Sequence, residues 1–129
     1  MRFEILTFGH PALRQKVKPV DKITEDIRRL AQDLLESMRA ARGVGLAAPQ
    51  IGRAVAVCVI EVSPDHDVLE EGGPRLNPLV PMPLILVNPE ILLASEEKIV
   101  QSEGCLSFPD IQTPIRRAVQ VSVRYLDLG

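Results

Sequence analysis

One segment of the chain, residues 24–43, carries helix signals at both ends and along its length. Thr24 is a typical N-cap residue, and Glu25 and Asp26 place negative charge in the first turn, where it favours a helix. Gly43 follows as a residue typical of helix ends. Apolar residues recur between these ends at helical spacing, namely Ile27, Leu30, Ala31, Leu34, Met38 and Ala41. The segment predicts one amphipathic helix, whose apolar face the rest of the chain has to cover.

The other apolar segments predict strands, because they are short and are separated by glycine, proline and charged residues. The predicted strands are Val55–Val62, Leu84–Asn88 ending at Pro89, a segment around Lys98–Ser102, and Val119–Tyr125. The last of these alternates apolar and polar residues, which predicts one side facing solvent. Phe3–Leu6 is expected as a short strand or an extended arm, and Ser63–Pro83 as a long surface loop. One helix with several strands predicts an α+β fold with a mostly antiparallel sheet.

Size and composition narrow the class of protein. With 129 residues, 46% of them apolar, the chain is long enough for a single domain with a hydrophobic core. The formal net charge of −2 argues against a nucleic-acid-binding surface. No apolar run is long enough to span a membrane, and the first twenty residues lack the unbroken apolar stretch of a secretory leader. We therefore expect a cytoplasmic protein with no direct nucleic acid or membrane partner.

The segment Gly43–Gln50, GVGLAAPQ, is the first candidate for function. Its two glycines let the backbone approach another chain closely or take a positive φ, and the Gln50 amide can donate and accept hydrogen bonds. The segment lacks the Lys-Ser/Thr ending of a phosphate-binding loop, so nucleotide binding is not expected. Spacing alone favours a structural interpretation, in which these residues close the helix and turn tightly into the sheet.

The segment Glu103–Ser107, EGCLS, is the second candidate. Cys105 lies in a polar stretch, where a thiol can be a metal ligand, a nucleophile or a structural residue. Cys58 lies in an apolar strand and is interpreted as a small buried hydrophobe, and a disulfide between the two is not expected in the cytoplasm. The only histidines, His10 and His66, fall in a turn and in the long loop, where a solvated side chain is favoured over a metal ligand.

In their order and spacing, these two segments together resemble the first two of three signature motifs of the peptide deformylase family. The resemblance runs from Ile5 to Leu128 and includes the turn at 10–14, residues 87–89 and Arg117. It implies a peptide-deformylase-like fold and a metal-dependent hydrolase that removes the formyl group from the N-terminal formylmethionine of nascent proteins. The expected partners are N-formylmethionyl peptides and the ribosome that presents them.

The resemblance also implies roles for the reacting groups. Cys105 corresponds to the thiolate that binds the family's metal ion. The Gln50 side chain and the backbone N–H of Leu106 correspond to the two donors that bind the formyl oxygen and form an oxyanion hole.

Five further residues acquire supporting roles from the same resemblance. Val44, Gly45 and Leu46 correspond to a strip whose backbone pairs with the substrate peptide like an added strand. Glu103 and Arg117 correspond to an ion pair that steadies the metal-binding loop.

The third signature of the family, His-Glu-x-x-His, does not occur in these 129 residues. In the family, that helix supplies two histidine ligands and a glutamate that acts as general base. We therefore expect a single, C-terminally incomplete deformylase-like domain over residues 1–129, lacking the metal-binding helix and inactive alone. A divalent metal ion, with Fe2+ expected and Zn2+ or Ni2+ as alternatives, should bind poorly, because a stable site needs at least three protein ligands.

Two other interpretations remain open. A non-catalytic domain could bind peptides along Val44–Leu46 without hydrolysing them. A nucleophilic Cys105 is less well supported, because neither histidine lies in a segment that suggests an activating base.

Three further expectations concern specificity and solubility. Gln112 stands where many relatives place a basic residue near the substrate pocket, which leaves the peptide preference open. The Ser63–Pro83 loop is longer than in compact relatives, and its role is open. We also expect an exposed apolar patch around Leu34 and Met38 and on the strands, and with it a tendency to associate.

Overall fold

The computed structural model describes residues 1–128, which contain one α-helix and six β-strands. The helix, α1, spans Glu25–Ala40. The strands are β1 (Gly45–Ala47), β2 (Val57–Ile60), β3 (Leu84–Ala94), β4 (Lys98–Cys105), β5 (Phe108–Ala118) and β6 (Val121–Leu126). Four of them form an antiparallel sheet in the order β1-β2-β3-β6, and β4 and β5 form a separate antiparallel hairpin. The predicted α+β class with a mostly antiparallel sheet is confirmed. Within residues 1–128, no helix is both long and apolar enough to cross a membrane.

The helix begins as predicted but ends differently. The Thr24 side chain accepts a hydrogen bond from the Ile27 N–H at 3.4 Å. After Ala40, Arg42 takes a left-handed φ of 58°, and the Gly43 N–H returns to the Met38 carbonyl at 2.9 Å. This pattern closes a helix with a left-handed residue one position beyond the cap. The prediction that Gly43 itself stops the helix is therefore wrong, because the arginine before it takes the left-handed conformation.

The apolar face of α1 packs against the inner side of the four-stranded sheet. Leu34 and Met38 are completely buried, and they form the core with Leu46, Val59 and Val87. The predicted exposed patch around Leu34 and Met38 is therefore wrong, because β1, β2 and β3 already cover that face of the helix. Because the core fixes both α1 and β1, it also fixes the turn at residues 41–44 that connects them.

Several strand limits differ from prediction. The strand predicted over Val55–Val62 is shorter, and the one predicted to end at Pro89 continues to Ala94. Pro89 follows Asn88, whose φ is 52°, at a shift in the register between β3 and β6. A proline is tolerated at such a bulge, because the ladder hydrogen bond that it cannot donate is already interrupted.

The hairpin strand β5 was not predicted, whereas Phe3–Leu6 forms an extended arm, which is one of the two predicted alternatives. Two prolines and several charged residues hid the strand character of Phe108–Ala118. The arm lies along the helix, where the Phe3 N–H donates to the Ser37 hydroxyl at 2.8 Å. The Ser63–Pro83 segment is a loop as predicted, with a single 3₁₀ turn at Pro64–His66.

The outer half of the sheet carries exposed apolar side chains. Ile91 and Leu93 on β3 are 66% and 70% exposed, and every residue of β6 is exposed. The prediction that only one side of Val119–Tyr125 faces solvent is therefore wrong, because no layer within residues 1–128 covers β6. An apolar surface of this kind favours association between molecules.

We expect the purified chain to self-associate through this surface. Leu93→Lys should shift its sedimentation profile towards monomer, because a lysine in the contact would lose hydration. Leu79→Lys is the matched control, since Leu79 is 94% exposed in the loop and lies outside the sheet. A wild-type chain that sediments as a monomer at high concentration would contradict this expectation.

Candidate functional site

The turn after α1 and the tip of the β4–β5 hairpin meet through Gly43 and Leu106. A methyl group placed on Gly43 would lie 2.5 Å from Cδ1 of Leu106, far inside van der Waals contact. Gly43 is therefore required for the close approach of the Leu106 side chain, and not for a positive φ. This contact brings the segments 43–50 and 103–107 together, although they are far apart in the sequence.

The Gln50 side chain is held at this junction in one orientation. Its Oε1 accepts a hydrogen bond from the Ala47 N–H at 3.0 Å, and its Nε2 donates to the Ser107 hydroxyl at 3.0 Å. The same Nε2 lies 3.6 Å from the Cys105 Sγ. Because a backbone N–H can only donate, the contact with Ala47 fixes which end of the amide is the oxygen. The amide nitrogen, which is the donor that an oxyanion needs, therefore faces the cysteine.

Ser107 is a functional residue that sequence reasoning did not single out. Its side chain is buried, with 4% of the residue exposed, and its hydroxyl accepts the bond from Gln50. Its position within the second motif, two residues after Cys105, was the available signal. A serine hydroxyl is needed there, because it accepts from the Gln50 amide and can donate elsewhere.

The N-terminal arm links the two segments from the other side. The Leu6 N–H donates to the Gln50 carbonyl and the Phe8 N–H to the Ser107 carbonyl, both at 2.8 Å. The rings of Phe8 and Phe108 also stack, with centroids 5.1 Å apart. Nothing in the spacing of these arm residues predicts the contacts, because they depend on backbone groups that every residue carries.

The two cysteines lie in different environments, as the sequence predicted. Cys58 is partly buried on β2, and burial raises the pKa of its thiol. Cys105 is exposed at the end of β4, beside Gln50. Both are free thiols.

A groove of about 680 Å³ runs past Cys105. One wall is formed by the turn and the start of β1, and the other by the hairpin tip. Its lining includes Arg42, Val44, Gly45, Cys105, Leu106 and Gln112. His10 and His66 are not part of this lining, and their ring Nδ1 atoms contact the Ala12 N–H and the Ser63 hydroxyl, respectively.

Strand β1 is one edge of the four-stranded sheet and borders this groove. It pairs with β2 so that Gly45 lies opposite Ile60 and Leu46 opposite Val59, and the Glu61 N–H donates to the Val44 carbonyl at 2.8 Å. Since antiparallel pairing alternates, the N–H and C=O of Gly45 point away from β2. Val44 is exposed and Leu46 is buried in the core. The strip Val44–Leu46 therefore presents an open backbone edge to the groove.

Glu103 and Arg117 form an ion pair across the hairpin. The Arg117 guanidinium donates to both Glu103 carboxylate oxygens, at 2.9 Å from Nη2 and 3.0 Å from Nε. These hydrogen bonds hold the pKa of the Glu103 carboxyl below its usual value. The pair is largely exposed, so solvent screens its contribution to stability, but it links β4 to β5 two residues before Cys105.

The described residues do not make a metal centre by themselves. Within residues 1–128, no three His, Cys, Asp or Glu side chains are placed to hold one ion together. Cys105 and Asp110 are the two potential ligands in the groove lining, whereas a stable site requires at least three. Further ligands would have to come from outside these residues.

The bond between Gln50 and Ser107 can be tested by a double-mutant cycle. Ser107→Ala and Gln50→Ala should each destabilise the chain, and together by less than the sum, with a coupling of roughly 0.5–1.5 kcal/mol in urea denaturation. Ser122→Ala, at an exposed position on β6, is the control and should combine additively with Gln50→Ala. Additive losses at Ser107 and Gln50 would show that the contact is not made in solution.

Comparison with known proteins shows which family this chain is similar to. Residues 2–129 match a family described as polypeptide deformylase. The chain is 39% identical over 127 residues to a peptide deformylase of Salinibacter ruber, and 44% identical over 124 residues to one of Thermomicrobium roseum. These matches cover 98% and 96% of this chain but 64% and 65% of those proteins, so the chain spans less than two thirds of their length.

Solved structures give the same result. The peptide deformylase of Ehrlichia chaffeensis superimposes with a TM-score of 0.86 at 33% identity, over 99% of this chain and 70% of that one. That of Thermotoga maritima superimposes with a TM-score of 0.82 at 35% identity, over 99% and 76%. A class I type b enzyme of Acinetobacter baumannii, solved with Met-Ala-Ser bound, gives 0.84 at 30% identity, over 99% and 78%.

Proposed function

The chain belongs to the peptide deformylase family, and we propose that it forms the substrate-binding part of an enzyme that removes the formyl group from N-formylmethionyl peptides. Members of this family are, in general, metal-dependent hydrolases. The observation that carries the proposal is the fixed Gln50 amide, whose nitrogen lies beside Cys105 at the end of an open strand edge. The remaining metal ligands and the general base would come from residues outside the 129, so that these residues form one incomplete domain.

In the proposed reaction, the nascent peptide pairs with the open edge at Val44–Leu46 and extends the sheet by one strand. This pairing brings the formyl carbonyl to the Ala47 end of β1, where Gln50 is held. The Gln50 Nε2 and the Leu106 N–H would donate to the formyl oxygen and stabilise the negative charge that develops there as water adds to the carbon. Ser107 and Ala47 would keep the amide in place, so that it needs no reorganisation during the reaction.

The exposed Cys105 thiolate would contribute one ligand to a divalent ion, with Fe2+ proposed and Zn2+ or Ni2+ as alternatives. When bound, such an ion supplies Lewis acidity to water and to the carbonyl. Glu103 and Arg117 would hold the strand that carries the cysteine. We propose that the protein acts in the cytoplasm, on nascent chains that emerge from the ribosome.

A chimaera tests the proposal most directly. Residues 1–128 would be joined to the part of the Thermotoga maritima enzyme that this chain does not cover, and formate release from formyl-Met-Ala-Ser would be measured. We expect turnover from the chimaera, and neither turnover nor stoichiometric metal from the 129-residue chain alone. Gln50→Ala in the chimaera should lower kcat by about 10²–10³-fold with metal retained.

Substitutions of the two cysteines provide the matched comparison. Cys105→Ala should abolish both turnover and metal binding, whereas Cys58→Ala should leave both nearly unchanged, because Cys58 lies on β2 within the sheet. A chimaera that folds, binds formyl peptides and retains full turnover after Cys105→Ala would refute the assignment.

A non-catalytic peptide-binding domain is the second candidate, favoured by the open β1 edge and by the lack of a three-ligand cluster within residues 1–128. It predicts that the chain binds formylated and unformylated peptides equally well. The deformylase proposal predicts tighter binding of the formylated peptide, because Gln50 and Leu106 bind the formyl oxygen.

A further inference from the structure

A second depression, of about 520 Å³, continues the groove beyond Val44. Arg42, Gly43 and Val44 line both depressions, so the two depressions adjoin at the turn after α1. The far side of the second depression is formed by both ends of the 63–83 loop, including Pro64, His66 and Met82. The loop thus borders the path that leads away from Cys105.

The direction of a peptide on β1 follows from the position of Gln50. The Gln50 amide lies against Ala47, at the end of β1, so a formyl group bound there leaves the rest of the peptide to run back past Gly45 and Val44. The strip Val44–Leu46 is about 10 Å long, enough for roughly three peptide residues at 3.3 Å each. The fourth and fifth residues of a longer peptide would therefore lie in the second depression.

The charges in this depression are unbalanced. Arg39 and Glu61 neutralise each other through two hydrogen bonds, at 2.8 and 2.9 Å. Arg42, in contrast, makes no ion pair with any residue in the range 1–128. Asp110 lines the first depression, as Arg42 does, but it does not line the second. A cation with no partner therefore stands where the peptide would pass.

The wall of the depression is held in shape before any peptide binds. Asp67 is buried in the loop and accepts hydrogen bonds from the backbone N–H and the side chain of Asn77, at 2.9 and 3.0 Å. The Leu76 N–H donates to the Asp67 carbonyl at 2.8 Å. At the start of the loop, the Ser63 hydroxyl and the His66 ring are 2.8 Å apart. Because these hydrogen bonds already order the loop, peptide binding should cost little further conformational entropy in this wall.

We propose that this depression receives the fourth and fifth residues of the nascent peptide and that Arg42 selects acidic side chains there. The proposal rests on the proposed function, since it takes the formyl end of the peptide to lie at Gln50. It gives the 63–83 loop a role as the wall of an extended binding groove. It also provides a source of peptide preference in a chain whose hairpin carries Gln112 in place of a basic residue.

Binding of labelled peptides to the 129-residue chain tests the proposal. Fluorescence anisotropy would compare formyl-Met-Ala-Ser-Asp-Asp-Ala with the Asn-Asn version and with a version carrying aspartate at residue 2 only. We expect the peptide with acidic residues four and five to bind about 3- to 5-fold more tightly than the Asn-Asn peptide, as for an exposed ion pair. Aspartate at residue 2 should give no gain, and 0.5 M NaCl should remove most of the difference.

Substitutions on the protein complete the test. Arg42→Gln should abolish the preference, so that the acidic and Asn-Asn peptides bind equally well, and Arg42→Glu should reverse it in favour of a Lys-Lys peptide. Arg29→Gln, which removes the same charge from an exposed position on α1, should change nothing. Equal affinity of the wild-type chain for the acidic and amide peptides, a preference that survives Arg42→Gln, or no binding of any of the peptides would overturn the proposal.

The two proposals fail in different ways. If the acidic preference is present but formylated and unformylated peptides bind equally well, the proposed deformylase function fails and the role of Arg42 stands. If formylated peptides bind more tightly and residues four and five have no effect, the role of Arg42 fails alone.

Discussion

The site depends on the Gln50 side-chain amide, which is bonded at both ends to fixed groups. If a glutamine side-chain amide is free to rotate by 180°, it can present its oxygen in place of its nitrogen. That oxygen would repel an oxyanion. The Ala47 N–H and the Ser107 hydroxyl prevent this, because one can only donate and the other accepts from the amide nitrogen. Both partners belong to the two segments that the Gly43–Leu106 contact holds together. The donor orientation is thus a property of the packing between the helix turn and the hairpin.

The chain has two regions that differ in how much apolar surface they bury. α1 and the inner sheet form a continuous core in which Leu34, Met38, Val59 and Val87 are completely buried. The outer half of β3, with β6, exposes its apolar side chains within the described residues. Because burial of apolar surface dominates folding, the inner region should resist unfolding more than the outer one. The groove lies between the hairpin tip and the turn after α1, and the arm bonds to Gln50 and Ser107 beside it.

The sequence predicted the parts of the fold that carry strong local signals. The helix, its Thr24 cap, the long loop and the fold class follow from spacing and composition. It failed where the backbone departs from these rules, as at Pro89, which lies in a bulge, and at Arg42, which takes a left-handed φ without being glycine. The β5 strand was missed because its residues have low strand propensity and its partner β4 supplies the pairing.

For the site, the sequence supplied the two segments but not the way in which they meet. Resemblance gave roles to Cys105, Gln50 and Leu106. The structure places Cys105 and Leu106 in the lining of one groove, with the Gln50 Nε2 3.6 Å from the Cys105 Sγ. Ser107 and the arm residues Leu6 and Phe8 could not be found in the same way, since they act through a hydroxyl and through backbone groups whose partners are distant in the sequence. Within residues 1–128, Arg42 has no ion-pair partner. This too is a property of the fold, in which Glu61 bonds Arg39 instead.

The central claim is that Gln50 and Leu106 bind the formyl oxygen of a peptide laid along β1. Titration of the ¹⁵N-labelled chain with formyl-Met-Ala-Ser, and with unformylated Met-Ala-Ser as control, tests it directly. The account predicts that the Gln50 side-chain amide and the Leu106 backbone amide shift with the formylated peptide and hardly respond to the control, while Gly45 responds to both. If the Gln50 and Leu106 signals respond equally to the two peptides, or to neither, the claim is contradicted.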